Sequence, residues 1–291
     1  MSMMPSFITQ TDQGSAARDY VFVNGYVKAE FDNLGLEKEF ERNLVSSHEN
    51  GDNHLFMPEN RSDVLKDKNW YCDKENCLSK QLSHPKNHYI ARQMKWSLVN
   101  HYGDNLYLLE VNNLHLASLI KALEPQSSEP AFFMPVSILG YYQVEGNESL
   151  PRIKIQKIGR LTPSDLIQKI HKRHAGFNDK KLKSVITDIL SLAENNGDTD
   201  QDRALNYALS HNLELYMGAY ELIYNHSDRE VAQLNNVSVI TDIAGERKIA
   251  KVVFDFQNVQ SSVGQYWYCA IDVTHEYPFL LTSFKRYLPR Y

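Results

Sequence analysis

Hydrophobic periodicity changes twice along this chain, and that order constrains the fold more than any other feature. Two-residue alternation leads, a 3.6-residue stripe takes over in the middle, and two-residue alternation returns at the end. Residues 19–29 (DYVFVNGYVKA) read as a strand, with Asn24-Gly25 a turn-type dipeptide inside it. Leu36, Phe40 and Leu44 then share one helical face. Residues 91–99 alternate Met94, Trp96 and Leu98 against Gln93, Lys95 and Ser97, and residues 106–111 follow a turn at 102–105, which predicts a β-hairpin. Leu116, Leu119, Ile120 and Leu123 predict a helix stopped by Pro125, and short strands fit residues 136–144 and 153–158.

The middle third is helical. Thr162 reads as an N-cap before Pro163, and Leu166, Ile167, Ile170 and His174 share a face. Leu182, Val185, Ile186, Ile189, Leu190 and Ala193 form a second stripe, closed by Asn195-Asn196-Gly197. Thr199 and Asp202 resemble a capping box opening a third helix that carries Leu205, Ala208, Leu209, Tyr216, Ala219, Tyr220 and Ile223. Strands return at 237–243, 249–258, 265–274 and 279–284; apolar residues on both faces of 265–274 mark a central strand. Strands, then helices, then strands predict an α+β fold, with a mainly antiparallel sheet and a central block of amphipathic helices. A flexible arm is expected over residues 1–18, and a single domain over 19–291 with an inserted loop at 45–77.

With 42% apolar and 23% charged residues in 291, the chain can bury a large core, which excludes global disorder. Its 31 basic and 36 acidic residues leave a net charge of −5, so no global basic surface is offered to nucleic acid. Apolar runs are too short to span a bilayer and the N-terminus does not read as a secretory signal. Three cysteines suit a reducing compartment, so a cytoplasmic location is expected.

Chemical motifs are few. Cys72, Cys77, His84 and His88 carry the donor types of a closed tetrahedral zinc site, although their central gap is short and Pro85 intervenes. A structural zinc is therefore possible there; otherwise no cofactor is expected. No G-x-S-x-G, G-x-G-x-x-G or P-loop occurs. Cys269, inside an apolar strand, reads as a buried small hydrophobe. Asp272, His275 and Glu276 at a strand end read as a capped turn rather than an acid–base pair. Arg203 sits just inside a helix N-terminus, where a cation is disfavoured, so it needs an acid elsewhere or a ligand carboxylate. Paired only at the surface, it would contribute no more than about 1 kcal/mol.

Four stretches, taken together, resemble the C-terminal region of PatG-type cyanobactin maturation proteins: LGLEKEF (residues 34–40), NHYIARQMKWSLVNHYGDNLYLLEV (87–111), NNGDTDQDRALNY (195–207), and the paired segments KIAKVVFDFQNVQ (248–260) and YCAIDVTHEYPFLLT (268–282). They keep the family's order over residues 19–287. The sequence departs from it in the loop at 45–77, and at His88 and Lys95, where Arg and Cys are commoner. The resemblance implies a place in ribosomal peptide natural-product biosynthesis, by association with a protease that cleaves and macrocyclises a precursor peptide. The Ser-His-Asp machinery belongs to that protease. This chain reads as a free-standing homologue without it, and no catalytic residue is assigned. Arg92, Trp96, Asp202, Arg203 and Tyr207, within the matching stretches, are the candidate peptide- or partner-binding residues. The expected function is an accessory, non-catalytic module holding a precursor peptide or a maturation enzyme. The alternative is a stand-alone peptide-modifying enzyme of the same pathway class. An open sheet edge would favour the binder; a deep pocket with convergent polar groups would favour the enzyme.

Overall fold

The structure is a computed structural model and describes residues 20–48, 78–124, 135–143, 150–191, 194–224, 232–258 and 263–288. The expected arm at 1–18 and most of the expected loop at 45–77, with Cys72 and Cys77, lie outside them. The fold is α+β, as the periodicity predicts, but its strands divide into two sheets.

The first sheet closes on itself. β1 (Tyr20–Glu30), β2 (Lys95–Val99), β3 (Asn105–Glu110), β4 (Pro135–Gln143) and β5 (Arg152–Arg160) form a barrel in the order β1-β2-β3-β5-β4. Every pairing is antiparallel except β3 with β5, which is parallel. This is the strand order of a five-stranded Greek-key barrel of the OB type, an architecture that hosts many functions and specifies none. Among the described residues four α-helices accompany it: α1 (Leu34–His48), α2 (Leu78–Ser83), α3 (His88–Gln93) and α4 (Leu116–Ala122). Alternate residues of β1, namely Val21, Val23, Val27 and Ala29, point inward to meet Trp96, Leu98, Ile138 and Ile153 in one core with Phe40, Leu82 and Leu119.

The second sheet is open and antiparallel. β6 (Ala232–Ala244), β7 (Arg247–Asn258), β8 (Gly264–Asp272) and β9 (Phe279–Arg286) lie in sequence order. Val252, Phe254 and Phe256 of β7 face Cys269 and Ile271 of β8 in a core built with α5 (Pro163–Arg173), α6 (Asp179–Ser191), α7 (Asp200–His211) and α8 (Leu213–Tyr224). Helix α7 is the shared element, packing on β1 on one side and on β6, β7 and β8 on the other. Phe22 and Leu139, outward-facing on the barrel, are buried in this second core.

Local chemistry explains most boundaries. Thr162 caps α5 by accepting from the Asp165 N–H at 3.0 Å, and Thr199 caps α7 by accepting from the Asp202 N–H at 3.1 Å. Replacing Thr199 with Ala should cost about 1 kcal/mol, read as a lower urea midpoint at unchanged slope. Three expectations are corrected. The strand placed at 91–99 starts only at Lys95. Ala91 to Gln93 stay helical, and the buried Trp96 donates its indole N–H back to the Ala91 carbonyl at 2.7 Å. The third helix is two helices, broken at Asn212, with the Tyr216 hydroxyl taking the carbonyl of Leu209 that the break leaves free. Helix α1 runs on to His48, into the segment expected to be a loop.

Cys269 is fully buried, and burial pushes its thiol up to about 12. It should therefore resist thiol reagents in native buffer and react only after unfolding. Asp272 accepts from both the N–H and the hydroxyl of Thr274, which makes the segment after β8 the capped turn expected. Among the described residues no helix is long and apolar enough to cross a membrane.

Candidate functional site

The polar chemistry gathers along the seam between the barrel and α7. Strand β2 pairs with β1 only from Tyr26 to Glu30, so the N-terminal half of β1 has no β2 partner. The segment before α7 supplies the missing bonds. The Phe22 N–H donates to the Gly197 carbonyl at 2.9 Å, and the Phe22 carbonyl accepts from Asn206 Nδ2 at 2.8 Å. Asn206, fully buried on α7, also bonds Asn195 at 2.6 Å and accepts from Asn24 Nδ2 at 3.2 Å. Gly197 has φ +71°, and a Cβ there would collide with the Phe22 carbonyl.

Arg203 extends this latch into the second sheet. It is 6% exposed, and its guanidinium donates to Asp200 Oδ1 at 3.2 Å and to the carbonyls of Val273, His275 and Glu276 beyond β8. Lys248 of β7 holds the other oxygen of Asp200 at 2.9 Å. The acid that Arg203 needs thus lies one turn back on its own helix. Four donor bonds occupy both terminal nitrogens of the guanidinium, while its buried Nε has no hydrogen-bond partner among the described residues.

At one end of the seam Tyr107 donates to the Asn196 carbonyl at 2.7 Å and touches the Tyr142 hydroxyl at 3.1 Å, while Tyr142 donates to Asp198 at 3.3 Å. Burial raises the pKa of the Tyr107 phenol, which stays protonated. Burial, with repulsion from Asp198, also holds the Asp202 carboxyl above the usual range, against the lowering effect of its bond from Thr199.

At the other end Tyr207 stacks flat on His211, with centroids 4.6 Å apart, and meets Tyr277 edge-on at 5.9 Å. Lys157 of β5 donates to the Tyr277 hydroxyl at 3.1 Å and lies 5.0 Å from that ring's centre. Ser210 donates to the Asn206 carbonyl at 2.7 Å, so it receives the Nδ1–H of His211 at 2.8 Å and is not an activated nucleophile. His211 Nε2 is left to accept from Tyr277 at 3.3 Å.

The structure brings Asp202, Arg203 and Tyr207 together along α7 but places Arg92 and Trp96 elsewhere. Arg92 is exposed at the end of α3, and Trp96 is buried in the barrel core with its N–H committed. His84 and His88 flank the 3₁₀ turn Pro85–Asn87, and His88 Nε2 lies 3.2 Å from the Ser83 carbonyl. Among the described residues no three His, Cys, Asp or Glu side chains cluster as metal ligands, and Cys72 and Cys77 lie outside them. Sequence reasoning missed Asn206, Lys157, His211 and Tyr277. Only Asn206 carried a signal, as a polar residue between apolar ones on a buried helix.

Fold and seam together define a two-lobed α+β protein in which an OB-type barrel is latched to a helix-backed antiparallel sheet. The chain belongs to the PatG Domain family, whose model matches residues 20–245. It is also similar to a solved structure described as "PatG Domain of Unknown Function", at 16% identity and a TM-score of 0.64, covering 93% of this chain and 99% of that one. At that identity the likeness shows the fold. No curated protein matches the chain. Membership of this family is consistent with an association with the cyanobactin pathway.

Proposed function

We propose that the chain is an accessory, non-catalytic binding module of cyanobactin-like ribosomal peptide biosynthesis, and that it holds an extended segment of a precursor peptide along the free edge of β6. The observation that carries this reading is the contrast between the two sheets. Among the described residues the barrel closes on itself, whereas the second sheet is open and β6, paired with β7 alone, ends it with 13 residues, about 40 Å of strand. Its residues alternate between exposed and half-buried, and Ile240 and Ile243 are 43% and 79% exposed. An added strand gains main-chain hydrogen bonds from such an edge and side-chain contacts from alternate residues. The seam supports the same reading, because its signature residues are engaged in joining the lobes.

The role requires no cofactor, membrane or nucleic acid and suits a cytoplasmic module. A structural zinc on Cys72, Cys77, His84 and His88 would order only its own loop, and elemental analysis of purified protein checks it. Fluorescence anisotropy with a labelled synthetic precursor peptide tests the function. Replacing Ile240 and Ile243 together by Asp should weaken binding about tenfold and leave the thermal midpoint within a few degrees of the parent. Unchanged affinity, or a change in peptide mass on incubation, would overturn the reading.

A further inference from the structure

The aromatic end of the seam holds a charge imbalance that the latch does not use. Lys157 on β5 and Lys169 on α5 both act on His211 at the end of α7, and both residues are exposed. Among the described residues neither ammonium has a carboxylate partner, and Lys157 donates instead to the neutral Tyr277 hydroxyl. No acid figures among the charges acting on His211. The Lys157 ammonium, a phenol and an imidazole therefore meet from three segments beside the flat faces of Tyr207 and Tyr277, and the charge of Lys169 acts on the same imidazole.

We propose that Lys157, Lys169, Tyr277 and His211 form a receiving site for a carboxylate, with Tyr207 and Tyr277 flanking the group that carries it. The carboxylate takes the hydrogen bond that Lys157 now gives to Tyr277 and is neutralised by both ammoniums. The loss of His211's hydration, first, and then repulsion by Lys157 and Lys169 hold the imidazole down at about 4, although it keeps an exposed edge. An arriving anion removes that repulsion, so the His211 pKa rises and the ring becomes an additional donor through Nε2. The remaining groups against the ring are Tyr207 and Ser210 on α7, Phe22 on β1 and Tyr277; all are neutral. The site shares no residue with β6 and stands independently of strand addition there.

The experiment follows the His211 ring by NMR in the intact chain. Its probes are N-acetyl-tyrosine, N-acetyl-tyrosinamide and the α-amide of N-acetyl-aspartic acid, whose side-chain carboxylate is free. N-acetyl-tyrosine should shift the ring signal saturably at millimolar concentration and raise its titration midpoint, while the amide should do neither. K169Q, which breaks no bond in the described structure, should weaken the acid about threefold at low salt, and K157Q with K169Q should remove the shift. A response to N-acetyl-tyrosine assigns the carboxylate to a peptide C-terminus, and one to the α-amide of N-acetyl-aspartic acid assigns it to a side chain; either supports the site. Equal shifts from acid and amide, no shift from any acid, or a shift that survives in the folded double variant would overturn it.

Discussion

Arg203→Ala is expected to lower the stability of the chain by about 3 kcal/mol. The substitution removes the buried cation that Asp200 faces and strips donors from the carbonyls of Val273, His275 and Glu276. The buried Val273 carbonyl left without a partner costs on the order of 1 kcal/mol or more, the half-buried carbonyls of His275 and Glu276 add less, and breaking a buried pair from one side costs more than the pair contributes. Lys248 stays on Asp200 and keeps the loss below the upper range for a fully orphaned charge. Arg203→Lys should restore only part of the stability, because one ammonium cannot reach carbonyls on both sides of the turn. Urea unfolding followed by circular dichroism checks it; a loss within about 1 kcal/mol would return Arg203 to the status of a surface pair.

Gly197→Ala is expected to cost a similar amount, about 3 kcal/mol, by a different route. The αL backbone alone costs a non-glycine residue about 1 kcal/mol. The larger part comes from the Phe22 carbonyl, which the new Cβ would push away, taking with it the Phe22 bonds to Gly197 and Asn206. Gly245→Ala is the internal control. Gly245 has φ +66° but nothing around its Cβ position, so only the backbone cost of about 1 kcal/mol should appear. Equal losses at the two glycines would show that the loop does not bear on β1. Because the latch joins two separate cores, Gly197→Ala and Arg203→Ala should also split unfolding into two transitions, where we expect one for the parent chain.

What was legible in the sequence was local. Thr162 and Thr199 announced their caps by type and position, Cys269 announced its burial by its apolar strand, and the closing strands announced themselves by alternation. Closure of the barrel was not legible. It rests on the parallel pairing of Leu108 with Arg152 and of Glu110 with Lys154, across about forty residues with no local signal. Met94, Trp96 and Leu98 keep period two and so extend the strand signal back to 91, while the Trp96 indole bond holds Ala91 in the preceding helix. The helix break at Asn212 was hidden because apolar residues continue at helical spacing on both sides.

The seam shows the same division. Asp202, Arg203 and Tyr207 were found because they are neighbours in one motif. The position of Arg203 at a helix N-terminus signals its need for an acid, but that acid is Asp200 on its own helix rather than one elsewhere, and its carbonyl partners, about seventy residues away, leave no local signal. Lys157, His211 and Tyr277 come from three separate segments, and nothing in any one of them marks the meeting.

Hydrogen–deuterium exchange of the chain, with and without a precursor peptide, tests the central claim most directly. Amides on a free strand edge exchange fast, and strand addition protects them. The account predicts that peptide protects a run of amides within residues 232–244 and leaves β1 and β5 unchanged, and that the peptide is recovered with its mass unaltered. Protection confined to the barrel or the seam, or recovery of a cleaved or modified peptide, would contradict it.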